Sequence, residues 1–356
     1  MFALIMAGGS GTRFWPRSRA SHPKQLLNIY GQQTMIQQTI GRLSSIIPPE
    51  NVLVVTTKAQ LEKTVEQLPN IPSENFIIEP YGKNTAPCIG LGSLFLHKKD
   101  PDAVAIVLPA DHLIEDEERF IEQLQQAADV AKNSDALVTI GMKPTFPATG
   151  YGYIQHTSEK IESENGWAYR VKAFAEKPNY ETACRFVECG EFLWNSGIFV
   201  WKLSSILQEL EEHLPDLHQG LTTIAPAIGT PDQDEVIEQV YRQTKSVSID
   251  YGVMEHARDV AVVPGDFRWN DLGSWGEVYK VLQHDEDGNA TDSQHILLDS
   301  KNCLVDAQDK TVAMIGVSDL IVVDTGDALL ICSQEKAQNV KDVVDLLKRK
   351  KANHLL

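Results

Sequence analysis

The chain opens MFALIMAGGSGTRFWPRSRASHPKQ, residues 1–25. Phe2–Met6 is an apolar run of strand length, and Ala7 leads it into a turn built on Gly8, Gly9 and Gly11. Glycines let backbone N–H groups approach a bound anion. Cations follow at Arg13, Arg17, Arg19 and Lys24, so the stretch predicts a buried strand feeding a phosphate-binding loop. Neither common nucleotide fingerprint fits: a P-loop requires GxxxxGK followed by Ser or Thr, and the dinucleotide turn GxGxxG fails at Phe14. Residues 1–49 contain no Asp or Glu, although the formal net charge of the chain is -17. That acidic total argues against general nucleic-acid binding, which needs surplus Lys and Arg. The acid-free segment suits a small polyphosphate.

Outward from this stretch, apolar runs at Phe2–Met6, Val52–Val55, Phe76–Ile78, Val104–Leu108 and Leu137–Ile140 alternate with helical patterns near 34–46, 58–68, 84–99 and 116–132. Continuous apolar strands alternating with helices predict a parallel α/β sheet covered on both faces. From about residue 150 the segments GYGYIQ, WAYRVKAFAEKP and FLWNSGIFVW, with helices near 180–189 and 203–213, predict a mixed-sheet half on the same domain. His284–Asn289 marks a boundary between a domain of residues 1–284 and a smaller one of 285–356. In the latter, short apolar runs recur at about ten-residue spacing, the pattern of a small β unit. It closes with a helix whose Val340, Val343, Val344 and Leu347 share a face, then frays into Lys348–Lys351.

No apolar run reaches the roughly 20 residues of a membrane span. The N-terminus lacks a basic leader, which places the protein in the cytoplasm. The five cysteines form no CxxC and are read as reduced, mostly buried thiols.

The segment AGGSGTRFWPRSR with PKQ (residues 7–25) resembles the signature of sugar nucleotidyltransferases, in the mannose-1-phosphate guanylyltransferase (GDP-mannose pyrophosphorylase) branch. The resemblance continues in EPYGKNTAP (79–87), LPADH (108–112), GYGYI (150–154), FAEKP (174–178), WNSGIF (194–199), SIDYGVME (248–255) and WNDLGSW (269–275). It implies a Rossmann-like, GT-A-like mixed sheet flanked by helices, followed by a small left-handed β-helix-like domain used for subunit contacts, hence a homodimer. It also implies a reaction: GTP and mannose 1-phosphate give GDP-mannose and pyrophosphate with Mg2+. The alternatives within reach of the sequence are a nucleotidyltransferase for another base or hexose, and a silent nucleotide-sugar sensor. Some members continue into a second domain with phosphomannose isomerase activity; the end at Leu356 leads to the expectation that this activity is absent.

On this resemblance Ala7, Gly8, Gly9, Ser10, Gly11, Thr12 and Pro109 surround the nucleotide phosphates. Arg13 grips the β and γ phosphates, Lys24 neutralises charge at the reacting phosphates, and Lys177 holds the sugar phosphate. Asp111, at the carboxyl end of a central strand where open α/β sheets bind ligands, and Asp271 would hold the metal. Glu79, with Asn84 and Thr85, either selects guanine through its adjacent N1–H and N2–H2 donors or caps the next segment; both readings stand. Gly150, Tyr151, Glu176 and Asn195 are the sugar-side residues, Tyr153 and Trp194 fit the core, and His112 is structural because the reaction needs no general base.

Overall fold

The computed structural model describes residues 1–291 and 294–356. One nine-stranded sheet dominates it. Its strands are β1 (Phe2–Met6), β2 (Val52–Thr57), β3 (Phe76–Glu79), β4 (Val104–Pro109), β6 (Leu137–Met142), β7 (Tyr153–Ser163), β8 (Gly166–Ala175), β9 (Phe192–Lys202) and β10 (Val260–Gly265). A short β5 (Leu113–Ile114) pairs instead with β11 (Trp269–Asn270). The order across the large sheet is β3-β2-β1-β4-β9-β6-β10-β8-β7. The first four are parallel, as their continuous apolar sequences predict. β9 then enters antiparallel between β4 and β6, which makes the sheet mixed.

Both faces are covered. Because side chains alternate along a strand, Ala3 and Ile5 of β1 enter one core with Phe120 and Leu124 of helix Glu117–Asn133. Phe2 and Leu4 enter the other with Ile89 and Leu96 of helix Thr85–Lys99. That second core also takes Leu217, Leu221, Ile237 and Tyr241 from helices Pro215–Ile224 and Gln233–Gln243, which the sequence patterning did not single out. Tyr153 and Trp194 are buried core aromatics, as expected.

The C-terminal unit holds β12 (Ile296–Leu298), β13 (Leu304–Ala307), β14 (Ala313–Ile315), β15 (Leu320–Asp324) and β16 (Leu329–Ser333). β12 pairs in parallel with β14, and β13 with β15. Parallel stacking of strands two apart in sequence is the pattern of a winding, β-helix-like coil. Helix Val340–Arg349 buries Val340 and Val344 in a third core together with Phe14, Trp15 and Trp275 of the large domain.

Two expectations need correction. The C-terminal basic run does not fray at Lys348: the helix continues through Arg349, and beyond it the Trp15 indole donates to the Leu355 carbonyl at 2.9 Å. All five cysteines are free, but only Cys88 and Cys303 are buried. Among the described residues no helix is long and apolar enough to cross a membrane.

Candidate active site

Three loops meet at the carboxyl ends of β1 and β4. They enclose a cavity of about 270 Å3 whose lining includes Ser10, Gly11, Arg13, Lys24, Asp111 and Asp271. The β5–β11 pairing explains how the two aspartates come together. It sets Leu113 opposite Asn270, so the residues just before β5 and just after β11 share one end of the cavity. Lys24 joins the loops: its Nζ donates to Asp111 Oδ2 at 2.9 Å and to the Asp271 carbonyl at 2.5 Å.

The glycine turn is shaped from beneath. Gln25 Nε2 donates to the carbonyls of Ala7 (2.7 Å) and Gly9 (3.1 Å), and Gln60 Nε2 donates to Gly9 at 3.2 Å. Gly11 has φ +57°, and a Cβ there would lie 2.7 Å from the Lys24 backbone nitrogen, so only glycine permits this approach. With carbonyls held inward, the amides of Gly8, Gly9, Ser10 and Gly11 find no acceptor in the protein among the described residues. Consecutive unpaired N–H groups beside two cations form an anion cradle. Gln25 stands in the PKQ motif, but no sequence pattern marks Gln60.

The cations divide. Arg13 is exposed and makes no ion pair among the described residues, whereas Lys24 is buried. Arg17 and Arg19, read with the phosphate loop from the sequence, do not line the cavity. Arg17 pairs with Asp306 at 2.9 Å and Arg19 with Asp327 at 3.1 Å, both in the C-terminal unit. Arg42 is buried against Glu117 and the His112 carbonyl.

Burial pushes the Asp111 carboxyl up, but Lys24 and His112 overcome it and hold it below the usual aspartate value. Burial chiefly lowers His112, whose Nδ1 accepts from Trp269 Nε1 at 3.2 Å. Tyr151, expected on the sugar side, donates to Asp271 Oδ1 at 3.0 Å. Burial, then the Asp271 charge, raises its phenol well above the usual value.

A second cluster gathers Gly152, Glu176, Asn195 and Asp250. Asn195 Nδ2 donates to Asp250 Oδ1 at 2.6 Å, and its backbone N–H donates to the Gly152 carbonyl at 2.8 Å. A Cβ on Gly152 would lie 2.5 Å from Glu176 Oε2, so glycine admits the carboxylate, whereas Gly150 faces open space. Lys177 is exposed and pairs with Glu176 at 2.7 Å; it does not line the cavity. Asp250, raised above its usual value chiefly by burial, was present in the SIDYGVME motif but carries no local mark of its role.

Glu79 does not cap a helix. It is buried at the end of β3, where Oε1 accepts from the Tyr241 hydroxyl at 3.2 Å and Oε2 lies 3.2 Å from where a Gly8 Cβ would be. Burial pushes its carboxyl up to about 7, against hydrogen bonds from Tyr241 and Cys88. Asn84 and Thr85 are engaged locally: Asn84 Oδ1 caps helix Thr85–Lys99, and Thr85 Oγ1 accepts from the Ile249 N–H at 2.8 Å.

A family model described as nucleotidyl transferase matches residues 2–288, and one described as the MannoseP isomerase/GMP-like beta-helix domain matches 293–347. A mannose-1-phosphate guanylyltransferase of Salmonella montevideo is 38% identical over 350 residues, 97% of this chain and 73% of that protein. One from Escherichia coli K12 is 38% identical over 354 residues, 98% of this chain and 73% of that protein. A crystal structure from Thermus thermophilus, described as a mannose-1-phosphate geranyltransferase, superposes with a TM-score of 0.87 at 34% identity, covering 98% of this chain and 99% of that one.

Proposed function

The chain belongs to the nucleotidyl transferase family, among its mannose-1-phosphate guanylyltransferases, and on that premise we propose that it joins GTP and mannose 1-phosphate into GDP-mannose and pyrophosphate. The observation that carries the assignment to this cavity is Lys24, held between the Asp111 carboxylate and the Asp271 carbonyl beside a row of unpaired amides.

In the reaction a phosphate oxygen of mannose 1-phosphate attacks the α-phosphorus of GTP, and the bond from that phosphorus to the β-phosphate oxygen breaks. The attacking phosphate has its second pKa near ~6 and is largely ionised at neutral pH. No side-chain nucleophile or base is required. The work left to the protein is to align anions and to stabilise charge on the departing pyrophosphate. The Gly8–Thr12 segment and Arg13 suit the leaving phosphates, and Lys24 the reacting centre. Lys177 would hold the sugar phosphate after leaving Glu176. Glu176, Asn195 and Asp250 offer acceptors and donors for hexose hydroxyls. Glu79, ionised, offers a carboxylate to guanine beside Gly8, while Asn84 and Thr85 shape that loop.

Asp111 and Asp271 would hold Mg2+. Among the described residues no group of three or more His, Cys, Asp or Glu could bind a metal by itself. Two carboxylates completed by phosphate oxygens fit a hard octahedral ion. When bound, it supplies charge stabilisation for the phosphates.

The same proposal includes the division at residues 284/285, a cytoplasmic setting and a homodimer through the C-terminal unit. Supporting the last, Ile296, Leu298 and Ile315 are exposed on the parallel pair β12 and β14, where Leu298 lies opposite Ile315. The deciding experiment measures pyrophosphate release from GTP, mannose 1-phosphate and Mg2+. Dependence on both substrates and loss in Asp111→Ala are expected; no turnover, or a fully active variant, would overturn the activity or the site.

A further inference from the structure

We propose that the C-terminal β unit is a clamp that positions the nucleotide loop, with Arg17 and Asp306 as its positioning pair. The loop from Gly8 to Lys24 has little structure of its own. It contains one turn of 3-10 helix at Thr12–Phe14, three glycines, a bond from the Ser18 N–H to the Phe14 carbonyl and a bridge between Arg19 and His22, while among the described residues the amides of Gly8, Gly9, Ser10 and Gly11 find no acceptor in the protein. Tertiary contacts complete its shape: Trp275 of the large domain meets it at Phe14 and Trp15, and the C-terminal unit meets it at Trp15, Arg17 and Arg19. Phe14 packs against Trp275 with ring centroids 5.3 Å apart, and the Trp275 indole donates to the Trp15 carbonyl at 3.2 Å. The Trp15 indole reaches the Leu355 carbonyl. Arg17 Nη1 meets both oxygens of Asp306 at 3.2 and 2.9 Å, while its Nη2 donates to Asn28 Oδ1 at 3.0 Å. Arg19 meets both oxygens of Asp327 at 3.1 Å.

These anchors lie between Arg13 and Lys24 in the chain. Ser18 Oγ, next to Arg17, donates to the Gly11 carbonyl at 2.8 Å, and Gly11 rests on the Lys24 backbone. A displacement at Arg17 is thus passed through Ser18 and Gly11 to both cavity cations. Two of the four cations that the sequence places in this segment are spent on holding the other two. An isolated surface ion pair contributes little to stability. This one is a fork that also grips Asn28 within a packed interface, and its effect is on geometry, where small misplacements of reacting groups weigh heavily. The roles of Arg13 and Lys24 rest on the proposed function; the clamp itself does not.

The test compares wild type with Asp306→Asn, Arg17→Ala, the double variant and the swap Arg17→Asp/Asp306→Arg. Exchange of the hydrogen-bonded loop amides of Phe14, Trp15, Ser18, Arg19 and His22 requires no turnover. It is expected to accelerate about tenfold in each single variant while β1 and β4 are unchanged, and to recover in the swap. In kinetics, kcat/KM for GTP should fall about tenfold, KM for mannose 1-phosphate should stay within about twofold, and the double variant should be no worse than either single. Unchanged exchange in Asp306→Asn, or single effects that multiply in the double variant, would overturn the clamp. Should wild type turn over no GTP with mannose 1-phosphate, the proposed function falls, and the exchange data still decide the clamp.

Discussion

Glu79→Gln should make the protein more stable at alkaline pH while impairing its use of GTP. The carboxyl is 3% exposed, and burial moves it from an ordinary 4.5 to about 7. Its folded-state pKa therefore exceeds the unfolded one, so between these values the native state binds more protons than the unfolded chain. By linkage, stability falls as pH rises through that window. Each pH unit is worth about 1.4 kcal/mol, and a displacement of about 2.5 units makes the full loss on the order of 3 kcal/mol. Glutamine cannot ionise, so the variant lacks this decline. The difference between pH 5 and pH 8 is the robust quantity, because any misfit of the amide enters equally at both. Urea unfolding of both proteins at the two pH values measures it: the stability gap should move by roughly 2–3 kcal/mol in favour of Glu79→Gln. In parallel, kcat/KM for GTP should drop about tenfold or more at pH 8, where the native carboxylate is charged. A gap independent of pH would refute the buried-carboxyl reasoning; unchanged GTP kinetics would refute a role at the base.

Tyr241→Phe removes the hydroxyl shared between Glu79 and the Pro87 carbonyl, and the acid limb of kcat/KM for GTP should move up by about one pH unit; a pH profile identical to wild type would count against it. Lys24→Ala should lower kcat by about 10²–10³, in the range seen for lost transition-state donors, checked by single-turnover pyrophosphate release. Tyr151→Phe frees Asp271 Oδ1 of its donor, so the Mg2+ concentration for half-maximal activity should rise about tenfold, read from a Mg2+ titration after chelation. Leu298→Asp with Ile315→Asp puts charge on the exposed pair, and light scattering should show half the wild-type mass if that face joins two copies.

Most of the first half of the fold was legible in residues 1–142, because a strand covered on both faces must be apolar throughout, and β1, β2, β3, β4 and β6 lie on the runs that read that way. The antiparallel entry of β9 was not, since FLWNSGIFVW specifies a strand but no neighbour. The phosphate turn was visible because glycine and charge are local properties. Its support by Gln60, and the Tyr241 hydroxyl against Glu79, left no trace in local pattern: a buried polar side chain takes its meaning from what the fold lays beside it.

A buried strand ending in an anion-binding turn within an α/β domain is legible in residues 1–25 and their neighbours, since periodicity, glycine and charge act over a few adjoining residues. How the cations of that turn are shared is settled by the folded chain. Arg13 and Lys24 face the cavity, while Arg17 and Arg19 bind Asp306 and Asp327 from far along the chain. The physical reason is that an ion pair depends on distance in space, and no count along the sequence shows which carboxylate the folded chain will bring within 3 Å of a guanidinium.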